Sequence, residues 1–135
     1  MPDDVMVDKC EIIGNCLRRI REEYSGRSEH LRKNITKQDS ILLNLERACQ
    51  AAIDLAMRVI RLKGLGIPKE SREAFRIMEQ AGYLDPALSD SMQRMVGLRN
   101  VAIHAYQDLD LDVVEKVIAG QLGDFERLVQ IGLGI

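Results

Sequence analysis

Apolar residues recur every three or four positions along most of the chain, the spacing of helices that each bury one face. Over 4–24 the stripe is Val7, Cys10, Ile13, Leu17 and Ile20, which predicts a first helix. The polar stretch SGRSEHLRKN that follows reads as a loop. A second helix is predicted from Thr36, as N-cap with Asp39 three residues on, to about 63, where KGLGIP stops it. Its apolar face is broad, running from Ile41, Leu42 and Leu45 to Val59 and Ile60. Its alanines Ala48, Ala51, Ala52 and Ala56 would let a neighbour come close, which marks it as the central helix. A short third helix after Ser71 turns Phe75 and Met78 inward and ends at Gly82. LDP starts the fourth, with Asp85 as N-cap and Pro86 at the first helical position, and the helix continues to about 104. Beyond the connector QDLD, Asp110 or Asp112 caps a fifth helix with Val114, Val117, Ile118, Leu122, Phe125, Leu128 and Val129 inside. Gly120 and Gly123 weaken it. No run reads as a strand. The expectation is an all-α, antiparallel bundle of about five helices in one domain over 1–135.

Composition sharpens this only in places. A chain of 135 residues can bury a real core, and with no Trp and few other aromatics that core must be aliphatic, which suits helices on helices. A net charge of −2 gives no global attraction to nucleic acid but allows local basic patches. Cys10, Cys16 and Cys49 are odd in number, form no Cys-x-x-Cys, and accompany only two histidines. They therefore suggest neither a zinc site nor a disulfide framework. Cys10 and Cys49 fit apolar positions as small core residues, and a reducing cytoplasm is the expected setting. The start, MPDDVMVDKC, is acidic and has no signal-peptide character, and nothing approaches the ~20 apolar residues of a membrane span.

Candidate chemistry concentrates in RNVAIHAY, 99–106. The inner stripe of the fourth helix is Leu88, Met92, Met95 and Val96; next in register come Arg99, then Ala102 and Ile103, then Tyr106. A guanidinium at an apolar position must find an anion, or the stripe must face something other than a dry core. Asn100 and His104 are four apart and share an adjacent face. Arg99 and His104 stand about 140° apart around a regular helix and ~7.5 Å along it, within what a long arginine can bridge. Taken singly, each has an ordinary explanation: a helix-end histidine caps, an arginine snorkels, a tyrosine packs its ring and wets its hydroxyl. Taken together they suit a phosphodiester. Arginine holds a phosphate in a fork, histidine takes or gives a proton near neutral pH, and asparagine orients a hydroxyl or the imidazole. With RNA the neighbouring 2′-hydroxyl is a built-in nucleophile, so no metal is needed. One histidine per chain falls short of separate acid and base, and a two-fold dimer would supply the second. Arg18, Arg19, Arg21, Arg32 and Lys33, with Arg94 and Arg99, could track a backbone, but LRRIREE reads in preference as a solvated face with internal ion pairs. Asp54 and Arg58 read as a surface pair, and His30 as an exposed loop residue.

The segment also resembles the signature of HEPN domains, Arg, four residues, His, and then x-Tyr. The whole chain resembles the HepT-like toxins of the HEPN/MNT toxin–antitoxin class, with KQDSILLNLERACQAAIDLA, LGIPKESREAF, LSDSMQRMVGLRN and LDLDVV in support. The resemblance implies a HEPN-like bundle that dimerises through the fourth-helix region, with two copies of Arg99 and His104 in one composite cleft. It implies a metal-independent endoribonuclease that cuts tRNA or mRNA by 2′-hydroxyl attack, with Arg99, Asn100 and His104 as catalytic residues and no cofactor. It implies an MNT-type nucleotidyltransferase antitoxin as partner, which silences the toxin by AMPylation of Tyr106, in a homodimer or a higher assembly with the antitoxin. One departure is Ala105, where many relatives carry an acid. Two alternatives stand beside this: a non-catalytic HEPN binding module that positions nucleotide or RNA for a partner nucleotidyltransferase, and a bundle whose polar motif only holds a dimer together.

Overall fold

The structure, a computed structural model, describes residues 3–104 and 106–135, and of Tyr106 the backbone alone. Its helices are α1 (Asp4–Tyr24), α2 (Ser28–Arg32), α3 (Ile35–Lys63), α4 (Ser71–Gln80), α5 (Pro86–His104), α6 (Leu111–Gly120) and α7 (Leu122–Leu133). A 3₁₀ turn, Tyr106–Asp108, links α5 to α6, and there is no strand among the described residues.

The 29-residue α3 is the central helix, as its alanines predict, and packs on α1, α2, α4, α5 and α7. Ala48, Ala51, Ala52 and Ala56 are all buried. Asp3 meets Arg58 and Lys9 meets Asp54, so α1 runs antiparallel to α3. Asp85 meets Arg127 and Ser91 meets Asp124, so α5 runs antiparallel to α7. Asp85 caps α5 by accepting from the Leu88 N–H at 2.7 Å, and Phe75 and Met78 of α4 are buried. All three cysteines are free and buried, Cys16 included. Burial pushes their thiols up, that of Cys49 to about 12. No helix among the described residues is long and apolar enough to cross a membrane.

Five expectations are corrected. The polar stretch after α1 is not a plain loop: it holds α2, whose Leu31 is wholly buried while its carbonyl accepts from Gln38 Nε2 at 2.9 Å. His30 is accordingly half-buried, with Nδ1 2.9 Å from the Tyr24 carbonyl oxygen. The cap of α3 is Asn34 rather than Thr36, its Oδ1 accepting from the Lys37 N–H at 3.0 Å. The fifth predicted helix breaks at Gln121, which leaves the helical region (φ −122°, ψ −3°) between Gly120 and Gly123. The break lets α6 dock on α2, where Glu115 accepts from Tyr24 Oη at 2.9 Å and Ser28 Oγ at 2.7 Å and pairs with Arg32. Asp110 caps α6. Finally, Asp54 and Arg58 do not pair with each other. Arg58 reaches Asp3 with Nε and Nη2 (3.0 and 2.7 Å), and Asp54 faces Lys9.

Asp3 joins two of these elements, since it also caps α1 by accepting from the Met6 N–H at 3.0 Å. The Arg58 hydrogen bond, followed by that from Met6, lowers its carboxyl from 3.8 to about 2. A depressed folded-state pKa gives stability that is fully present above 3.8 and is lost as the pH falls through about 2. Asp3→Asn is expected to lower the melting temperature at pH 7. Its deficit against wild type should shrink between about pH 4 and pH 2 in thermal scans.

Candidate active site at the end of α5

Leu88, Met92, Met95 and Val96 are buried, as the inner stripe requires. Past Val96 the helix leaves the core. Gly97, Leu98, Arg99 and Ala102 are half-buried, and Asn100, Val101, Ile103 and His104 are exposed. The stripe expected to continue through Ile103 therefore faces outward, with Val101 38% and Ile103 45% accessible. Val101 shares a shallow groove with Leu98, Leu109 and the equally exposed Val113 of α6.

Among the described residues, Arg99 meets no anion. Its Nε and Nη2 both donate to Gln50 Oε1, at 3.0 and 2.7 Å, and its Nη1 donates to Asn100 Oδ1 at 2.6 Å. Both acceptors are neutral amides, and no carboxylate among the described residues lies within ion-pair distance. A guanidinium has five N–H donors, so one remains on Nη1 and one on Nη2. Gln50 in turn donates from Nε2 to Asp54 Oδ1 at 2.9 Å, and Asp54 pairs with Lys9 at 3.4 Å. A polar line thus crosses the bundle from α1 through α3 to α5. The sequence signal for Gln50 is a polar side chain set between the buried Cys49 and Ala51 of the central helix, and it passes unnoticed beside the apolar pattern.

Asn100 lines a groove of about 420 Å³ with Glu70, Ser71, Arg72 and Val96. Arg72 lies across Gly97: a Cβ there would stand 2.6 Å from Nη2, so only glycine leaves the guanidinium its place. Glu70 pairs with Arg76 at 3.5 Å, on the same helix as Arg72. Arg72 lies within LGIPKESREAF, where nothing in the sequence marks it as a site residue. His104 is the last residue of α5 and stands one turn beyond Asn100 on the same face. The side chain of Tyr106, and Ala105 altogether, lie outside the described residues.

The wider basic track is largely engaged. Arg32 pairs with Asp112 and Glu115, Arg21 with Glu126 at 2.6 Å, and Arg94 with Asp90 one turn away. Arg18 and Glu22 make the internal pair expected of LRRIREE, at 3.9 Å.

Known proteins are similar to this chain over most of its length. The family model described as Ribonuclease HepT-like matches residues 13–131. The mRNA nuclease HepT of Shewanella oneidensis is 40% identical over 129 residues, 96% of either chain. A putative RNase of Archaeoglobus fulgidus is 21% identical over 99 residues, 73% of this chain and 74% of that one. Among solved structures, the tri-AMPylated Shewanella oneidensis HEPN toxin in complex with MNT antitoxin superposes with a TM-score of 0.89 at 40% identity, over 96% of each chain. A toxin–antitoxin complex with AMP-PNP superposes with a TM-score of 0.90 at 39% identity, over 96% of this chain and 98% of that one. With the matched span containing the whole of α5 and its polar end, the chain belongs to the Ribonuclease HepT-like family.

Proposed function

We propose that this chain is the toxin of a HEPN/MNT toxin–antitoxin pair, a metal-independent endoribonuclease acting on mRNA or tRNA. The observation that carries the reading is Arg99, held by two neutral amides with its charge uncompensated and two N–H donors left over, at the exposed end of α5. A phosphate is the natural partner for those donors. Asn100 and His104 present an amide and an imidazole one turn apart along the same face. In the reaction the 2′-oxygen forms a bond to the adjacent phosphorus and the bond from phosphorus to the 5′-oxygen breaks. A base takes the 2′-proton and an acid returns one to the departing 5′-oxygen. Arg99 steadies the negative charge that gathers on the phosphoryl oxygens. Two proton-transfer roles and one motif histidine favour a two-fold dimer in which each chain gives one His104. The exposed Val101, Ile103 and Val113 offer the apolar surface for that dimer. Arg72 adds a second cation beside Asn100 for a neighbouring phosphate.

Silencing follows the same electrostatics. An MNT-type nucleotidyltransferase antitoxin would transfer AMP from ATP to the Tyr106 hydroxyl, two residues beyond His104: the phenol oxygen bonds the α-phosphorus, its proton goes to a base, and pyrophosphate leaves. The Shewanella toxin solved with MNT antitoxin is tri-AMPylated, which supports this. An anionic adduct there competes with RNA for the guanidinium of Arg99.

Wild-type protein, its mass checked to be unmodified, is expected to cut tRNA or a long mRNA in the presence of EDTA. His104→Ala should leave the RNA intact on a denaturing gel while melting as wild type does, because the side chain is exposed. An unmodified wild type that cuts nothing would overturn the reading and leave a binding module. With an MNT-type transferase and ATP, wild type should gain AMP by intact mass and lose cleavage, whereas Tyr106→Phe should stay active. Arg72→Ala should raise KM several-fold with kcat close to wild type.

A further inference from the structure

The acceptor that holds Arg99 is uncharged, and that is the part of the arrangement that needs explaining. A glutamate at the same position would make a charge-assisted fork with Arg99, stronger than the amide contact observed. It would also cancel the guanidinium's charge before any phosphate arrived, in a half-buried setting where that charge counts most. We infer that Gln50 is the positioning residue of Arg99, fixing the guanidinium with a neutral acceptor so that its charge stays available to RNA; this rests on the ribonuclease reading above.

Four features of the surroundings argue for this. Gln50 sits on the central helix between buried neighbours, so its backbone is held by the core rather than by a loop. Its amide could turn either end toward Arg99, and the Nε2 donation to Asp54 decides that the oxygen faces the guanidinium. Asp54 carries a negative charge close to this contact, and Lys9 at 3.4 Å on its far side offsets it. The line from Lys9 to Arg99 thus delivers orientation without delivering net negative charge. Asn100 adds a second neutral hold on Nη1, so the two unused donors on Nη1 and Nη2 belong to a guanidinium gripped from both sides.

The test uses the full-length chain, Gln50→Glu and Gln50→Met, with kcat and KM measured on RNA in EDTA. RNA affinity is measured against salt in the His104→Ala background. Gln50→Glu, made together with Asp54→Asn so that an amide rather than a second carboxylate faces the new acid, keeps the grip and cancels the charge; Asp54→Asn alone is its reference. Against that reference the double variant should melt within a few degrees, lose at least about tenfold in kcat/KM, and show a salt slope smaller by about 0.7, one phosphate contact on a single strand. Gln50→Met keeps the volume and removes the grip, so kcat should fall while the salt slope holds. With Arg99→Ala added to the double variant and its reference, Gln50→Glu should change RNA affinity no further. Cleavage by the double variant at the reference rate, or an equal loss of affinity with and without Arg99, would overturn the inference alone. A wild type that neither binds nor cuts RNA would bring down the ribonuclease reading and the inference with it.

Discussion

Helix α3 carries apolar residues around so much of its circumference that no single neighbour can cover it. Ile41, Leu45, Ala52, Leu55, Val59 and Ile60 are buried, and so are Ala51 and Ile53. Five helices, α1, α2, α4, α5 and α7, therefore pack around it, and burial of that surface is the main favourable term in folding. The alanines set how near they come, because side chains of one carbon allow close helix–helix approach. On the same stretch of α3, α7 comes close through Gly132, where a Cβ would stand 3.1 Å from Leu55 and 3.2 Å from Met6. The position of α5, and with it the direction in which Arg99 points, is inherited from this central packing. Gln50 is where the central helix gives up an apolar contact and takes a polar one instead.

Charge is distributed in a way that separates structural from available cations. Arg21, Arg32, Arg58 and Arg127 each meet a carboxylate from a different helix or helix cap and fasten one element to another. Such exposed pairs add modest stability each and serve mainly to fix register. Among the described residues, Arg99 is held by amides alone. A chain with a net charge of −2 can thus still present a local positive site, because the compensation is placed elsewhere on its surface.

Periodicity made the longer helices legible, since it reports which face is buried. The bounds of α1, and the N-terminus of α5 at Asp85–Pro86, follow from stripe and cap chemistry. What periodicity does not report is partnership across the chain. Arg58 could not be assigned to Asp3, 55 residues away, while Asp54 stood four residues off and chemically as suitable. Leu31 is a single apolar residue in a polar run, too short for any period, yet it is wholly buried and organises α2. Gly120 and Gly123 signalled weakness but not the position of the break, which depends on α6 finding Glu115 partners on α1 and α2. Arg99 was conspicuous in the sequence as a charge out of register. That its partner would be a neutral glutamine on the central helix was not visible, because nothing local distinguishes a buried-face glutamine that binds from one that merely fits.

The core closes at Val96, and the polar end of α5 stands outside it. Asn100, Val101, Ile103 and His104 contribute little to what keeps the bundle folded. Substitutions at these four positions can therefore change the chemistry with little effect on folding. Random substitution can erase the motif's chemistry in one step and leave an intact helical protein, still able to engage whatever recognises its remaining surface. Lineages descended from such a chain would be expected to include inert copies that persist as well-folded binding proteins.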